Sequence, residues 1–148
     1  MYETTNILIV DDEEVVRMSH LRTLAGLHCN VEATWNGHEA LRAMERQPFD
    51  VVVLDLRMPD LDGMSVLKTI KERWPESQVV IITGYPSIDT AKEAVRLGAY
   101  DYLAKPVGPD DVIKAANAAM AQKKWTLQTC RAGCDKGERF KYRYPWEN

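Results

Sequence analysis

The chain has 148 residues, 45% apolar and 28% charged, which suits one globular domain with a buried core. No apolar run approaches the ~20 residues a membrane helix needs, and the N-terminus lacks the basic start and apolar stretch of a secretory signal, so no membrane association and a cytoplasmic location are expected. The net charge of -3 is uneven: residues 1–120 carry 12 basic and 19 acidic side chains, residues 121–148 carry 7 and 3, so an acidic body precedes a basic tail.

In chain order, the first strand is predicted at Ile7-Leu8-Ile9-Val10, an uninterrupted run rich in β-branched residues of the kind buried on both faces of a parallel sheet. A helix follows from about Glu13 to Ala25, with Val16, Leu21 and Leu24 on its apolar side. A second strand around Val31–Thr34 mixes polar with apolar residues, as a sheet edge would. The second helix opens at Asn36, and Glu39 three residues later forms a capping-box pattern. Val51-Val52-Val53-Leu54 reads as a buried third strand, followed by a helix from Met64 to Trp74 that Pro75 ends. Val79-Val80-Ile81-Ile82 is the fourth strand, and a helix from about Ser87 to Leu97 stops at Gly98. A mixed fifth strand lies around Tyr100–Leu103, and the last helix has Pro109, Asp110 and Asp111 in its first turn. Five strands alternating with five helices predict an α/β fold: a flavodoxin-like, doubly wound five-stranded parallel sheet of order 2-1-3-4-5.

Ligands of such sheets bind beyond the carboxyl ends of the strands. After strand one stand Asp11 and Asp12, after strand three Asp55, after strand four Thr83 and Gly84, and after strand five Lys105 and Pro106. Three clustered carboxylates repel one another, and a hard, oxygen-liganded divalent cation would offset that repulsion. Taken singly, each residue has a plainer explanation. Asp12 could be a helix N-cap, Thr83 a cap of the fourth helix, Lys105-Pro106 a solvated turn, and Tyr102 an edge-strand aromatic. Their joint arrival at one sheet end favours a shared site.

The pattern formed by Asp11-Asp12, Asp55-Leu-Arg-Met-Pro-Asp-Leu-Asp-Gly63, Thr83-Gly84, Tyr102 and Lys105-Pro106 resembles the receiver domain of two-component response regulators over about residues 5–124. The stretches from Gly84 to Ala91 and from Leu97 to Pro106 are most similar to receivers of nitrogen-regulation-type activators. The resemblance implies a phosphoacceptor switch. Asp55 would accept a phosphoryl group from a sensor histidine kinase or phosphotransfer protein, aided by Mg²⁺ held by Asp12, Asp55 and the Arg57 carbonyl, with Asp11 acting partly through water. Lys105 would neutralise phosphoryl oxygens, and the Lys105-Pro106 bond would be cis. Thr83 would donate to a phosphoryl oxygen while Tyr102 rotates, altering the surface of helix four, strand five and helix five for a downstream protein partner. Arg57 and Tyr85 would flank the path of hydrolytic water and slow the loss of phosphate. Enzymatic activity beyond this self-phosphorylation and autodephosphorylation is not expected.

Two other function classes fit worse. A phosphatase of the haloacid-dehalogenase type needs a second Asp two residues after the nucleophile, where this chain has Arg57, and a dinucleotide-binding protein needs a Gly-rich turn where it has Asp-Asp-Glu-Glu. Residues 1–124 are read as the receiver and 125–148 as a basic, aromatic tail that holds no output domain. The chain would then be a complete single-domain regulator or the receiver piece of a larger activator. Three cysteines (Cys29, Cys130 and Cys134) make no disulfide framework, and Cys130 and Cys134 lack the partners of a zinc site. Phe140-Lys-Tyr-Arg-Tyr144 alternates aromatic and basic residues. Docking on the acidic body, a subunit contact and disorder are each compatible with it, disorder least so with three aromatics in five residues; a dimer stays open, and direct nucleic-acid binding is not expected.

Overall fold

A computed structural model describes residues 5–27 and 29–131, the last eight of these by backbone alone. The elements alternate as expected: β1 (Thr5–Val10), α1 (Glu14–Ala25), β2 (Cys29–Thr34), α2 (Gly37–Arg46), β3 (Val51–Leu54), α3 (Gly63–Arg73), β4 (Gln78–Thr83), α4 (Ile88–Arg96), β5 (Asp101–Ala104) and α5 (Pro109–Arg131). The five strands form one parallel sheet of order β2-β1-β3-β4-β5, with the two mixed-polarity strands at its edges.

Because side chains alternate along a strand, each apolar run feeds two cores. Leu8, Val10, Val52, Leu54, Val79 and Ile81 face α2, α3 and α4, where Ala40, Met44, Leu67, Ile70 and Ala94 complete the packing. Ile7, Ile9, Val51, Val53, Val80 and Ile82 face α1 and α5, meeting Leu24, Val112, Ala116 and Ala119. The helices are not anchored equally. α2 buries Gly37, Ala40, Ala43 and Met44, and α3 buries Gly63, Val66, Leu67 and Ile70, whereas α4 buries only Ala94.

Caps set most helix starts. Asn36 accepts from the Glu39 N–H at 2.8 Å, Asp62 from the Ser65 N–H at 3.1 Å, and Ser87 from the Thr90 N–H at 3.1 Å. The predicted capping box is half realised, because the Glu39 carboxylate turns to Arg42 at 3.2 Å. Gly98, after α4, has φ +101°, a conformation that favours glycine. α5 continues to Arg131, past the expected junction at residue 124. Cys134 and the Phe140–Tyr144 segment lie outside the described residues, as does the side chain of Cys130. Among the described residues no helix is long and apolar enough to cross a membrane.

Candidate functional site

β1 and β3 are neighbours in register, Val10 beside Leu54, so the residues that follow them emerge together. The Asp55 N–H donates to the Val10 carbonyl at 2.9 Å and the Asp11 N–H to the Thr34 carbonyl at 3.1 Å, which extends the ladder by one step and sets both carboxylates at the sheet end. Both are buried, Asp11 at 2% and Asp55 at 5% exposure, while Asp12 and Glu13 are exposed. Carboxylate oxygens of Asp11, Asp12, Glu13 and Asp55 all lie within 4.8 Å of one another. Glu13 is the member that sequence reasoning missed. Its signal was the unbroken Asp-Asp-Glu-Glu run, used only to exclude a glycine turn.

Lys105 enters from the edge strand, its N–H bonded to the Thr83 carbonyl at 2.7 Å. Its ammonium lies 3.0 Å from Asp11, 3.4 Å from Glu13 and 3.4 Å from Asp55, and the side chain is only 16% exposed. This excludes a solvated turn. The Lys105-Pro106 bond is cis, as expected. Burial disfavours the ammonium, but the Asp11 hydrogen bond and the charges of Asp11, Asp55 and Glu13 outweigh it and raise its pKa. Burial and the Asp11 charge push the Asp55 pKa up, against the opposing pull of Lys105 and the Arg57 N–H. The cluster therefore holds more negative charge than its lysine balances, and hard oxygen donors in this number and spacing fit a small divalent cation.

The other plain explanations also give way to the geometry. Asp12 does not cap α1: that position belongs to Glu13, whose N–H is held by the Asp11 carboxylate at 2.9 Å. Thr83, fully buried as the last residue of β4, does not cap α4; Ser87 does, and the Thr83 hydroxyl accepts from the Tyr85 N–H at 3.1 Å. Tyr102 is more than an edge aromatic, since its hydroxyl bonds the first turn of α4.

The loop from Asp55 to α3 is fastened at several points. Arg57 donates its N–H to Asp55 at 3.3 Å, and its guanidinium stacks 3.7 Å from the Tyr85 ring centre. Asp60 accepts from the N–H groups of Gly37 (3.3 Å) and His38 (3.4 Å), tying the loop to α2. Gly63 lies so close that a Cβ there would sit 2.4 Å from Leu56 Cα and 2.6 Å from the Asp55 carbonyl oxygen, so a side chain would push α3 off the loop.

Residues 7–117 match the family described as response regulator receiver domain. The chain is 36% identical over 115 residues to the DNA-binding transcriptional regulator NtrC of Escherichia coli, covering 78% of this chain and 24% of that protein. Among solved structures it is similar to NtrX from Brucella abortus, with a TM-score of 0.83 at 30% identity, covering 92% of this chain and 31% of that one. It also matches a CheY-like receiver domain protein from Methanospirillum hungatei, with a TM-score of 0.81 at 26% identity, covering 84% and 99%. The chain spans about a quarter of the length of the curated relatives it matches.

Proposed function

The chain belongs to the response regulator receiver domain family, and on that premise we propose that it is a phosphoacceptor switch in which Asp55 takes a phosphoryl group from a sensor histidine kinase or phosphotransfer protein. The observation that carries this reading is the convergence of four carboxylates within 4.8 Å around a lysine that also reaches Asp55. An Asp55 oxygen attacks phosphorus, an Asp55 O–P bond forms, and the bond from phosphorus to the donor's nitrogen breaks with its electron pair leaving on the donor.

Asp12, Asp55 and the Arg57 carbonyl would hold Mg²⁺, with Asp11 acting partly through water. Bound there, the ion would supply positive charge that offsets the charge of the phosphoryl oxygens. Lys105, 3.4 Å from Asp55, would supply a second positive charge. The Thr83 hydroxyl keeps its own proton while accepting from Tyr85, so it can donate to a phosphoryl oxygen. Its shift toward that oxygen would bias Tyr102 and so change the α4–β5–α5 surface read by a downstream protein. The protein catalyses nothing beyond its own phosphorylation and dephosphorylation in this reading. Residues 1–124 form the switch and 125–148 a basic tail. The relatives' length favours also the second role, as the receiver segment of a longer transcriptional activator.

Incubation with acetyl phosphate and Mg²⁺, followed by intact-mass measurement, tests the proposal. The parent should gain one phosphoryl group and Asp55→Asn none. A parent that gains nothing, or a variant that still gains one, would overturn it.

A further inference from the structure

The first turn of α4 is joined to Tyr102 by hydrogen bonds to its hydroxyl. The Ser87 N–H donates to the Tyr102 hydroxyl oxygen at 3.2 Å, and that oxygen lies 2.7 Å from Thr90 Oγ1. Thr90 Oγ1 in turn donates to the Ser87 carbonyl at 3.2 Å and lies 2.8 Å from Ser87 Oγ. A hydroxyl has one proton to give and two lone pairs to offer, so one assignment satisfies the whole set. Ser87 N–H donates to Tyr102 O, Tyr102 O–H to Thr90 Oγ1, and Thr90 O–H back to the Ser87 carbonyl. The circuit closes within one helical turn plus one residue of β5.

Its position gives it leverage. α4 buries Ala94 alone, and Ile88 in its first turn is 74% exposed, so little hydrophobic contact resists movement of that end. The Tyr102 ring packs against the core on the α2–α4 side of the sheet. Rotation of the ring would break its bonds to Ser87 and Thr90 unless the helix end moved with it.

We propose that Thr90 is the positioning residue of the switch: through this hydroxyl circuit it locks the Tyr102 side chain to the first turn of α4, so that ring and helix end shift as one unit. The inference rests on the reading of Tyr102 as the residue that responds to phosphorylation of Asp55, and names the contact through which the response reaches α4. A valine at position 90 keeps the shape of threonine and opens the circuit, leaving the Ser87 N–H as the described bond from this turn to the Tyr102 oxygen.

The experiment is ¹⁵N-resolved NMR of the whole chain with Mg²⁺, before and after addition of beryllofluoride as the acyl-phosphate mimic. In the parent, the Tyr102 ring and the amides of residues 88–91 should shift together. In Thr90→Val the Tyr102 response should persist while the response of 88–91 falls by at least about twofold, the loss expected of one net hydrogen bond. Thr90→Ser should restore the response. Tyr102→Phe, which loses the Ser87 N–H bond as well as the Thr90 contact, should lower the response at 88–91 at least as far, and Thr90→Val combined with it should add nothing further, because the Tyr102–Thr90 contact is then already gone. Phosphoryl incorporation in Thr90→Val should equal that of the parent. An undiminished α4 response in Thr90→Val, or in Tyr102→Phe, would show that the hydroxyls serve only the helix cap and would overturn the proposal. A parent that takes up a phosphoryl group from acetyl phosphate yet shifts nowhere would instead overturn Tyr102 as the responding residue, and this inference with it.

Discussion

β3 carries an aspartate at each end, and each meets a lysine, yet the two arrangements differ in kind. At the amino end, Asp50 bonds Lys123 with one oxygen and accepts the Asn6 N–H at 2.8 Å with the other. One cation serves one acid there, and α5 is fastened to the base of the sheet. At the carboxyl end, Lys105 is shared by Asp11, Glu13 and Asp55 at 3.0–3.4 Å, while Arg17 bonds the Asp11 main-chain carbonyl rather than a carboxylate. The amino end is balanced and contributes stability. The carboxyl end is left with excess negative charge, so it gives up stability and offers a place that a cation would fill favourably.

The same type of change should therefore have opposite signs at the two ends. The largest effect belongs to the amino end. Lys123→Met leaves the mostly buried Asp50 without its cation and should lower unfolding stability by about 1–3 kcal/mol. Urea titration measures this, and phosphoryl incorporation should be unchanged. A stability equal to that of the parent would show that the closed pair contributes nothing.

At the carboxyl end, Asp55→Asn should raise stability in EDTA by about 0.5–2 kcal/mol, the range usual for stabilising substitutions. The pH dependence fixes the cause. Burial and Asp11 raise the Asp55 pKa in the folded protein, so the folded state holds this proton more firmly than the unfolded chain does. The ionised carboxylate thus costs stability in full above the raised folded value, and the cost disappears below the ordinary value of 3.8. The gain from asparagine should be complete near neutral pH and shrink as the pH falls toward that value. A gain independent of pH would assign the effect to packing instead of charge.

How much of this could be read beforehand follows from how far each contact reaches along the chain. The strands were legible because runs such as Val51–Leu54 carry their burial on both faces in their own composition, and the edges because Val31–Thr34 and Tyr100–Leu103 do not. The site residues were legible because parallel topology brings every strand's carboxyl end to one place, so Asp11, Asp55, Thr83 and Lys105 needed only their strands. The Asp50–Lys123 pair was not, since its partners lie 73 residues apart and neither stands in a motif. The Tyr102–Thr90 contact was hidden for a related reason: it depends on the angle at which α4 leaves the sheet, which no local pattern encodes. Glu39 shows the converse. Its spacing from Asn36 was right for a reciprocal cap, but a neighbouring arginine competed for the carboxylate.

The smallest expected effect concerns the loops above the unbalanced end. Arg57 and Tyr85 belong to different loops, and each is tethered by its own N–H to a site side chain, Arg57 to Asp55 and Tyr85 to Thr83. Their stacking at 3.7 Å links the two loops beside Asp55. Tyr85 is 62% exposed, so the cation–π contact is worth only about 0.5–1 kcal/mol. If the link restricts water reaching an aspartyl phosphate, breaking it should speed phosphate loss by roughly two- to fivefold, which is what that energy amounts to as a rate. Arg57→Ala and Tyr85→Ala should each show this in intact-mass time courses after the donor is removed, and the double variant should be little faster than either, because both delete one contact. Additive acceleration would mean that the two side chains obstruct water separately, and unchanged rates in both would remove the stack from any role in the lifetime.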